Sequence, residues 1–369
     1  MSIDILQLNL NKPLNKTRVI VAMSGGVDST TVAVYLHKMG YEVIGITLQL
    51  YSGMQGSNHK TCCSGQDIED ARSVATRFGF PHYVIDKEGI FEKEVIQNFA
   101  DKYANGYTPI PCVTCNQTVK FRDLVAVAKK LKGDILVTGH YVRHKYVKNN
   151  IELHVAVDQY KDQSYFLFAT TKEQLQYLRF PLGNFHKTET RKMAKEFGIA
   201  IANKPDSQDI CFVKNRSYVE IVNKYRPDTV KPGPIKHVNG QTLGYHKGTA
   251  NFTIGQRSGL GISYHEPLYV TRIETETSTI WVGNKQDLDV RDFQISCVNW
   301  IAGYAMPERL QARVKIRSGI VMYQAEILKH ENIFKVSLLE KPDTSISPGQ
   351  ACVIYNDSQI LGGGWICKY

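Results

Sequence analysis

An apolar run, Val19-Ile20-Val21-Ala22-Met23, passes directly into Ser24-Gly25-Gly26-Val27-Asp28-Ser29-Thr30 and then into an amphipathic stretch from Ser29 to Met39. Strand, glycine turn and helix in that order leave few folds open. Gly25 and Gly26 let the backbone turn without Cβ clashes and aim amides inward, and the positive end of the next helix lies beside them, so the loop reads as an anion cradle. Ser24 and Ser29 add hydroxyl donors. No Gly-Lys-Ser/Thr follows, and Gly-x-Gly-x-x-Gly is absent, so the loop is neither a Walker A motif nor a dinucleotide fingerprint. Kinase-type phosphoryl transfer and hydride transfer therefore lose their sequence basis.

The same texture continues through the first half. Arg18–Met23, Glu42–Gln49, His82–Asp86 and Asp134–Thr138 read as strands. Ser29–Met39, Asp67–Phe78, Phe91–Tyr103 and Gln117–Leu131 read as helices, the last with Val119, Leu124, Val127, Ala128 and Leu131 at three- and four-residue spacing. This alternation predicts an α/β fold with a doubly wound parallel sheet and a ligand site at the carboxyl ends of its strands. A hairpin, His144–Val147 and Ile151–Val157 turning at Asn149-Asn150, follows. Next comes a helix capped by Thr188, running over Arg191–Phe197 and ended by Gly198. Arg226-Pro227-Asp228 and Lys231-Pro232-Gly233-Pro234 are linker chemistry, which puts a boundary near 215–230. Beyond it Pro267–Ile273, Thr279–Val282, Gln311–Ile316, Val321–Leu328, Ile333–Leu339, Ala351–Tyr355 and Ile360–Ile366 read as strands. We expect three units: a nucleotide domain over 1–215, a small central glycine-rich β module over 216–285, and a C-terminal antiparallel β-barrel over 286–369.

Forty-five Lys and Arg against 35 Asp and Glu leave a net charge of +10, which excludes an acidic solvating chain and points to nucleic acid or a phosphorylated ligand. No run approaches the ~18 to 20 apolar residues of a membrane span, and Met1–Lys16 lacks a secretory apolar core. A cytoplasmic location without a membrane partner is expected, and in that reducing compartment the eight cysteines are not expected to form a disulfide framework. Cys112 and Cys115 sit in a proline-stiffened loop, Thr108 to Asn116, leading into the helix from Gln117, where the helix dipole favours a thiolate. Cys211 lies in the short polar loop Asp206-Ser207-Gln208-Asp209-Ile210-Cys211-Phe212 and is reachable. Cys112-Val113-Thr114-Cys115 alone also reads as a zinc half-site or a redox pair. No second pair of suitable spacing completes a zinc site, although the adjoining Cys62-Cys63 could contribute. Cys297, Cys352 and Cys367 lie in apolar strand-like segments and are expected in the core.

Ser24-Gly25-Gly26-Val27-Asp28-Ser29 after an apolar strand resembles the PP-loop of ATP pyrophosphatases, of adenine nucleotide alpha hydrolase-like fold, which cleave ATP between its α and β phosphates. Further motifs follow in order: Val137-Thr138-Gly139-His140-Tyr141, Pro111-Cys112-Val113-Thr114-Cys115-Asn116, Lys161-Asp162-Gln163-Ser164-Tyr165-Phe166-Leu167, the loop ending in Cys211-Phe212, and Gly255-Gln256-Arg257-Ser258-Gly259-Leu260-Gly261. From about residue 17 to its end the chain resembles the tRNA-specific 2-thiouridylase (MnmA/TrmU) family.

The resemblance implies ATP-dependent 2-thiolation of the wobble uridine of tRNA, by base adenylation and transfer of persulfide sulfur. It implies ATP with Mg2+ and no permanent metal. Ala22, Met23, Ser24, Gly25, Gly26, Val27, Asp28, Ser29, Leu48 and Gly139 would meet the nucleotide, with Asp28 toward magnesium or phosphate-linked water. Cys115 would be the nucleophile and Cys211 the persulfide carrier, joined by a transient disulfide. Ile110, Pro111 and Cys112 would meet the target base, and Lys161, Asp162, Gln163, Arg317 and Ser318 the tRNA. The implied partners are tRNAs for lysine, glutamate and glutamine and a cysteine desulfurase or sulfur-relay protein. Lys120, Arg122, Arg143, Lys145, Arg257 and Arg313 are further candidates for the RNA backbone.

The chain departs from the family pattern at three places. Ile110 stands where many relatives have Asn and removes a polar contact to the base. Leu48 replaces a frequent Met at nearly constant volume. Ser318 replaces a common aromatic residue and removes a stacking surface. Three other readings compete: an iron–sulfur cluster on Cys112, Cys115 and Cys211; a PP-loop ligase or amidotransferase, which leaves Cys115 and Cys211 idle; and a non-enzymatic RNA-binding module, which leaves the nucleotide loop unexplained.

Overall fold

The computed structural model describes residues 8, 10, 12–51, 65–147, 150–206, 209–213 and 217–368. Cys62, Cys63 and the expected turn residue Asn149 lie outside the described residues. The apolar runs of the first half become β1 (Arg18–Ala22), β2 (Glu42–Gln49), β3 (His82–Asp86) and β4 (Ile135–Thr138). Two more strands, β5 (Arg143–Val147) and β6 (Asn150–His154), make the hairpin, and β7 (Leu178–Arg179) is a short edge strand. The parallel sheet has the order β3-β2-β1-β4-β7.

Its central strand shows why the sheet is wrapped on both faces. Val19 and Val21 face one apolar cluster with Val32, Leu36 and Val74 of helices Val27–Lys38 and Gly65–Phe78. Ile20, pointing the other way, joins a second cluster with Phe91, Val119 and Leu124. The two-residue period of a strand thus feeds two cores, as a doubly wound sheet requires. The strand order reverses between β1 and β4, which opens a crevice at their carboxyl ends.

Several local expectations are corrected. The helix near the paired cysteines starts at Pro111, not Gln117: Pro111–Thr114, a π-helical Cys115–Asp123 and Leu124–Lys130 follow one another without a break. Proline suits the first helical position because its missing N–H is not needed there. Cys112 therefore lies in the first turn, and Cys115 is a turn further in. The helix expected behind Thr188 runs over Lys187–Glu196, and His186 begins it, its backbone N–H donating to Glu189 Oε2 at 2.7 Å.

The second half forms two sheets. β8 (Gly233–His237), β9 (Thr242–His246), β10 (Tyr269–Glu274) and β11 (Thr279–Gly283) make a mixed sheet of order β10-β11-β8-β9. β12 (Asp292–Trp300), β13 (Arg309–Lys315), β14 (Tyr323–His330), β15 (Ile333–Leu338), β16 (Ala351–Asn356) and β17 (Gln359–Ile366) form an antiparallel barrel, closed by pairing of β12 with β17. β12 escapes the alternation pattern because its register shifts between Ser296 and Asn299, with Cys297 at φ 49°. That bulge turns Cys297 outward: Cys352 is buried as expected, but Cys297 is exposed and Cys367 only half-buried.

The hairpin of the first half docks on the barrel, with β6 pairing to β17 through Leu153 and Ile360. A dry ion pair reinforces the junction. Lys315 Nζ on β13 lies 2.8 Å from Asp162 Oδ2, each side chain only 3% exposed, and Asp162 also accepts from Ala156 N and from Ser164 N and Oγ. Lys315→Met would leave that carboxylate buried without its cation. We expect a loss of about 3–5 kcal/mol in urea unfolding; a loss below about 1 kcal/mol, the range of a solvated surface pair, would mean water reaches the site.

Candidate active site

A cavity of about 480 Å3 occupies the crevice between β1 and β4. Ala22, Met23, Ser24, Gly26, Val27, Asp28, Ser29, Leu48 and Gly139 line it, with Ile46, Leu50, Phe121 and Leu124 extending an apolar wall and Tyr160 to Gln163 on another side. Of the ten residues expected at the nucleotide, Gly25 alone acts from behind. Its φ is +71°, and a Cβ there would stand 2.1 Å from the Asp67 carbonyl oxygen, so only glycine holds the loop's shape. The loop closes on itself through Ser24 N donating to Ser29 Oγ at 3.1 Å. Gly139 has a structural reason not apparent from its motif: a Cβ would meet Ser29 N at 2.8 Å, so its absence lets the end of β4 lie against the first helical turn.

Around Asp28 the charges form one cluster. Lys187 Nζ donates to Asp28 Oδ1 and Oδ2 at 2.7 and 2.6 Å and reaches Asp206 Oδ1 at 2.8 Å. Lys161 and Arg191 close on Asp206 at 2.8 and 2.9 Å. Burial works to raise the Asp206 carboxyl, but Lys161 and Lys187 outweigh it and hold the group down from 3.8 to about 2. Tyr141 donates to Asp28 Oδ1 at 3.0 Å; burial, and then the Asp28 charge, push its phenol far up, so it remains a neutral donor. On the other side of the loop Lys204 joins Asp67, Asp70 and the Gly25 carbonyl, at 2.5, 2.6 and 2.9 Å. His140, against the rings of Phe121 and Phe180, is pushed down to about 3 by burial and by the Lys120 charge.

The thiols share a buried cluster with the apolar wall. Cys115 is 6% exposed and belongs to the cluster that also holds Leu48, Leu50 and Phe121, and Cys211 packs against that same cluster. Phe212 anchors the Cys211 loop edge-on to Phe91 and Phe99, with ring centroids 5.9 and 5.3 Å away. Cys112 is exposed. Among the described residues, no group of three or more His, Cys, Asp and Glu side chains is gathered to hold a metal ion.

Several residues expected at the RNA have partners within the protein. Ile110 and Pro111 are buried, Ile110 within the core cluster, which accounts for an apolar residue there. Asp162 is spent on Lys315, and Gln163 Oε1 accepts from Tyr141 N at 2.9 Å. Arg122 pairs with Glu94 and Asp123, Arg143 donates to the Val155 carbonyl, and Arg313 lies 3.4 Å from Asp357. Lys120 and Lys161 line the cavity. Lys145, Arg257, Arg317 and Ser318 are exposed, Arg317 donating to Thr344 Oγ1.

The profile of the tRNA methyl transferase HUP domain matches residues 17–215, that of the tRNA methyl transferase PRC-barrel domain 220–284, and that of the aminomethyltransferase beta-barrel domain 290–366. The tRNA-specific 2-thiouridylase MnmA of Neorickettsia sennetsu is 51% identical over 98% of this chain and 98% of its own. That of Rickettsia canadensis is 54% identical over 95% and 96%. The chain belongs to the tRNA-specific 2-thiouridylase family. Among solved structures, a 4-thiouridine synthetase–RNA complex with bound ATP covers 57% of this chain and 51% of its own, at TM-score 0.38 and 20% identity. Among the described residues no helix is long and apolar enough to cross a membrane.

In this 2-thiouridylase the residue that sequence inspection missed is Lys187. The fold makes it the first residue of its helix, where the dipole disfavours a cation, and carboxylates from elsewhere hold it. The cluster carries a pH signature. Asp206 is held below its ordinary value in the fold, so the stability it contributes is complete above about pH 4 and lost as pH falls toward 2. We expect Asp206→Asn to flatten that part of the pH–stability curve in denaturant titrations. An unchanged acid limb would mean the cluster does not hold the group.

Proposed function

We propose that the protein 2-thiolates the wobble uridine of cytoplasmic tRNAs for lysine, glutamate and glutamine, using ATP and persulfide sulfur delivered by a cysteine desulfurase or relay protein. The observation that carries this reading is a phosphate-loop cavity whose apolar wall, Leu48, Leu50 and Phe121, belongs to the same buried cluster as Cys115, with Cys211 packed against that cluster. The C2 carbonyl of uridine is amide-like, and its oxygen is a poor leaving group. Attack of O2 on the α phosphate of ATP turns that oxygen into part of AMP, with pyrophosphate released.

The residues present fit a triphosphate. Ser24 to Ser29 surround it with a glycine turn and a helix start, and Lys187 neutralises the charge that grows on the transferred phosphate. Magnesium would accompany ATP, and Asp28, whose two oxygens already touch Lys187, would be the phosphate-loop carboxylate that holds it and offsets the phosphate charge. The apolar wall takes the adenine and keeps water from the activated base.

A Cys211 persulfide then attacks C2 and expels AMP, and the Cys115 thiolate takes the Cys211 sulfur, freeing the thiolated base. Alternatively Cys115 attacks first and releases hydrosulfide to do the same work. Either way the two thiols end as a Cys115–Cys211 disulfide, and a thiol reductant restores them. Residues 1–215 carry the chemistry, and the barrel over 286–369, with Arg317 exposed, holds tRNA. A methyl-transfer reading, suggested by the wording of two profile descriptions, leaves the phosphate loop and both thiols without work, as an amidotransferase leaves the thiols.

Cys115→Ser and Cys211→Ser should each abolish 2-thiouridine, read by nucleoside mass spectrometry, while ATP binding persists. Retained thiolation in either variant would remove the two-thiol scheme. Lys187→Met should instead slow tRNA-dependent AMP release about 100-fold or more.

A further inference from the structure

The turn at residues 158–161 presents one side chain that no step above uses. Tyr160 is 87% exposed, the most exposed large hydrophobic side chain among the described residues and the only exposed one that lines the cavity. A bare aromatic ring is normally packed away. Here the frame beneath it is rigid: Tyr160 N donates to Asp158 Oδ1 at 3.2 Å, Lys161 N to the Asp158 carbonyl at 3.1 Å, and Lys187 N to Asp158 Oδ2 at 3.0 Å. Val157 N donates to the Gly183 carbonyl at 2.9 Å, and Asp162 fixes the far end by accepting from Ala156 N at 3.0 Å. The turn is thus tied to the start of the Lys187 helix, and the ring has only two side-chain torsions left to order.

We infer that Tyr160 is a stacking platform for the tRNA nucleotide next to the uridine drawn into the cavity. This rests on the proposed tRNA substrate. A base that enters a closed pocket leaves the stack of its loop, and its neighbour must stop at the mouth with one face uncovered. An exposed ring on the rim covers that face whatever the base is, because every base has a π surface. The adenine of ATP is the poorer occupant, since Leu48, Leu50 and Phe121 offer it an apolar wall inside the cavity. Lys161 beside the ring and Lys120 within the cavity supply the positive field that a polyanion needs.

Binding of intact tRNA and of ATP to the full-length protein should be measured by fluorescence anisotropy and calorimetry for the wild type, Tyr160→Ala and Tyr160→Phe. With the ring so exposed, the alanine variant has no packing to lose. We expect Tyr160→Ala to bind tRNA roughly 5- to 150-fold more weakly, Tyr160→Phe to remain within about twofold, and ATP affinity to stay unchanged in both. tRNA with an abasic residue on one side of the target uridine should weaken wild-type binding comparably and cost Tyr160→Ala nothing further. Wild-type affinity in Tyr160→Ala, a phenylalanine variant as weak as alanine, or a loss that appears in ATP affinity would each overturn the platform. A wild-type protein that fails to bind tRNA would overturn the substrate reading itself, and the platform with it.

Discussion

Lys187 is held between Asp28 and Asp206, and this one contact joins three distant parts of the chain. Asp28 belongs to the phosphate loop, Lys187 opens a helix whose dipole opposes its charge, and Asp206 lies five residues before Cys211. Two carboxylates offset the unfavourable dipole. Lys161 and Arg191 share Asp206 with Lys187, so these four charged side chains meet beside the phosphate loop.

The barrel fixes the first thiol region. Thr108 N donates to the Pro348 carbonyl at 2.7 Å, Gln350 Nε2 donates to the Thr108 carbonyl at 2.9 Å, and Tyr165 Oη donates to the Ala351 carbonyl at 3.1 Å. Gly349 makes the approach possible, since a Cβ there would stand 2.9 Å from Tyr107 Cβ. The segment that enters the Cys112 and Cys115 helix is therefore held against the barrel, and Asp162 with Lys315 holds the cavity rim to the same barrel.

What could be read in the sequence followed from how locally each feature is encoded. β1, β2 and β4 were legible because strands buried on both faces are continuous apolar runs, and the phosphate loop because strand, glycine and helix all adjoin. The barrel strands alternate, except β12, where the bulge at Cys297 destroys the period. The helix at Pro111 was hidden by prolines that resemble a loop until one of them is the first helical residue. Motif membership says nothing of side-chain partners: Ile110 is part of the core cluster, and Asp162 and Gln163, which line the cavity, also bond Lys315 and Tyr141 N. The Asp28–Lys187 pair spans 159 positions and leaves no local pattern, so only the fold reveals it.

The central claim is that the oxygen leaving the uridine departs on phosphate. The most direct measurement uses tRNA carrying 18O at C2 of the target uridine, with mass analysis of the AMP released during a single turnover. One 18O in the phosphate of AMP is expected for each 2-thiouridine formed; label found in water instead, with unlabelled AMP, would rule out adenylation of the base.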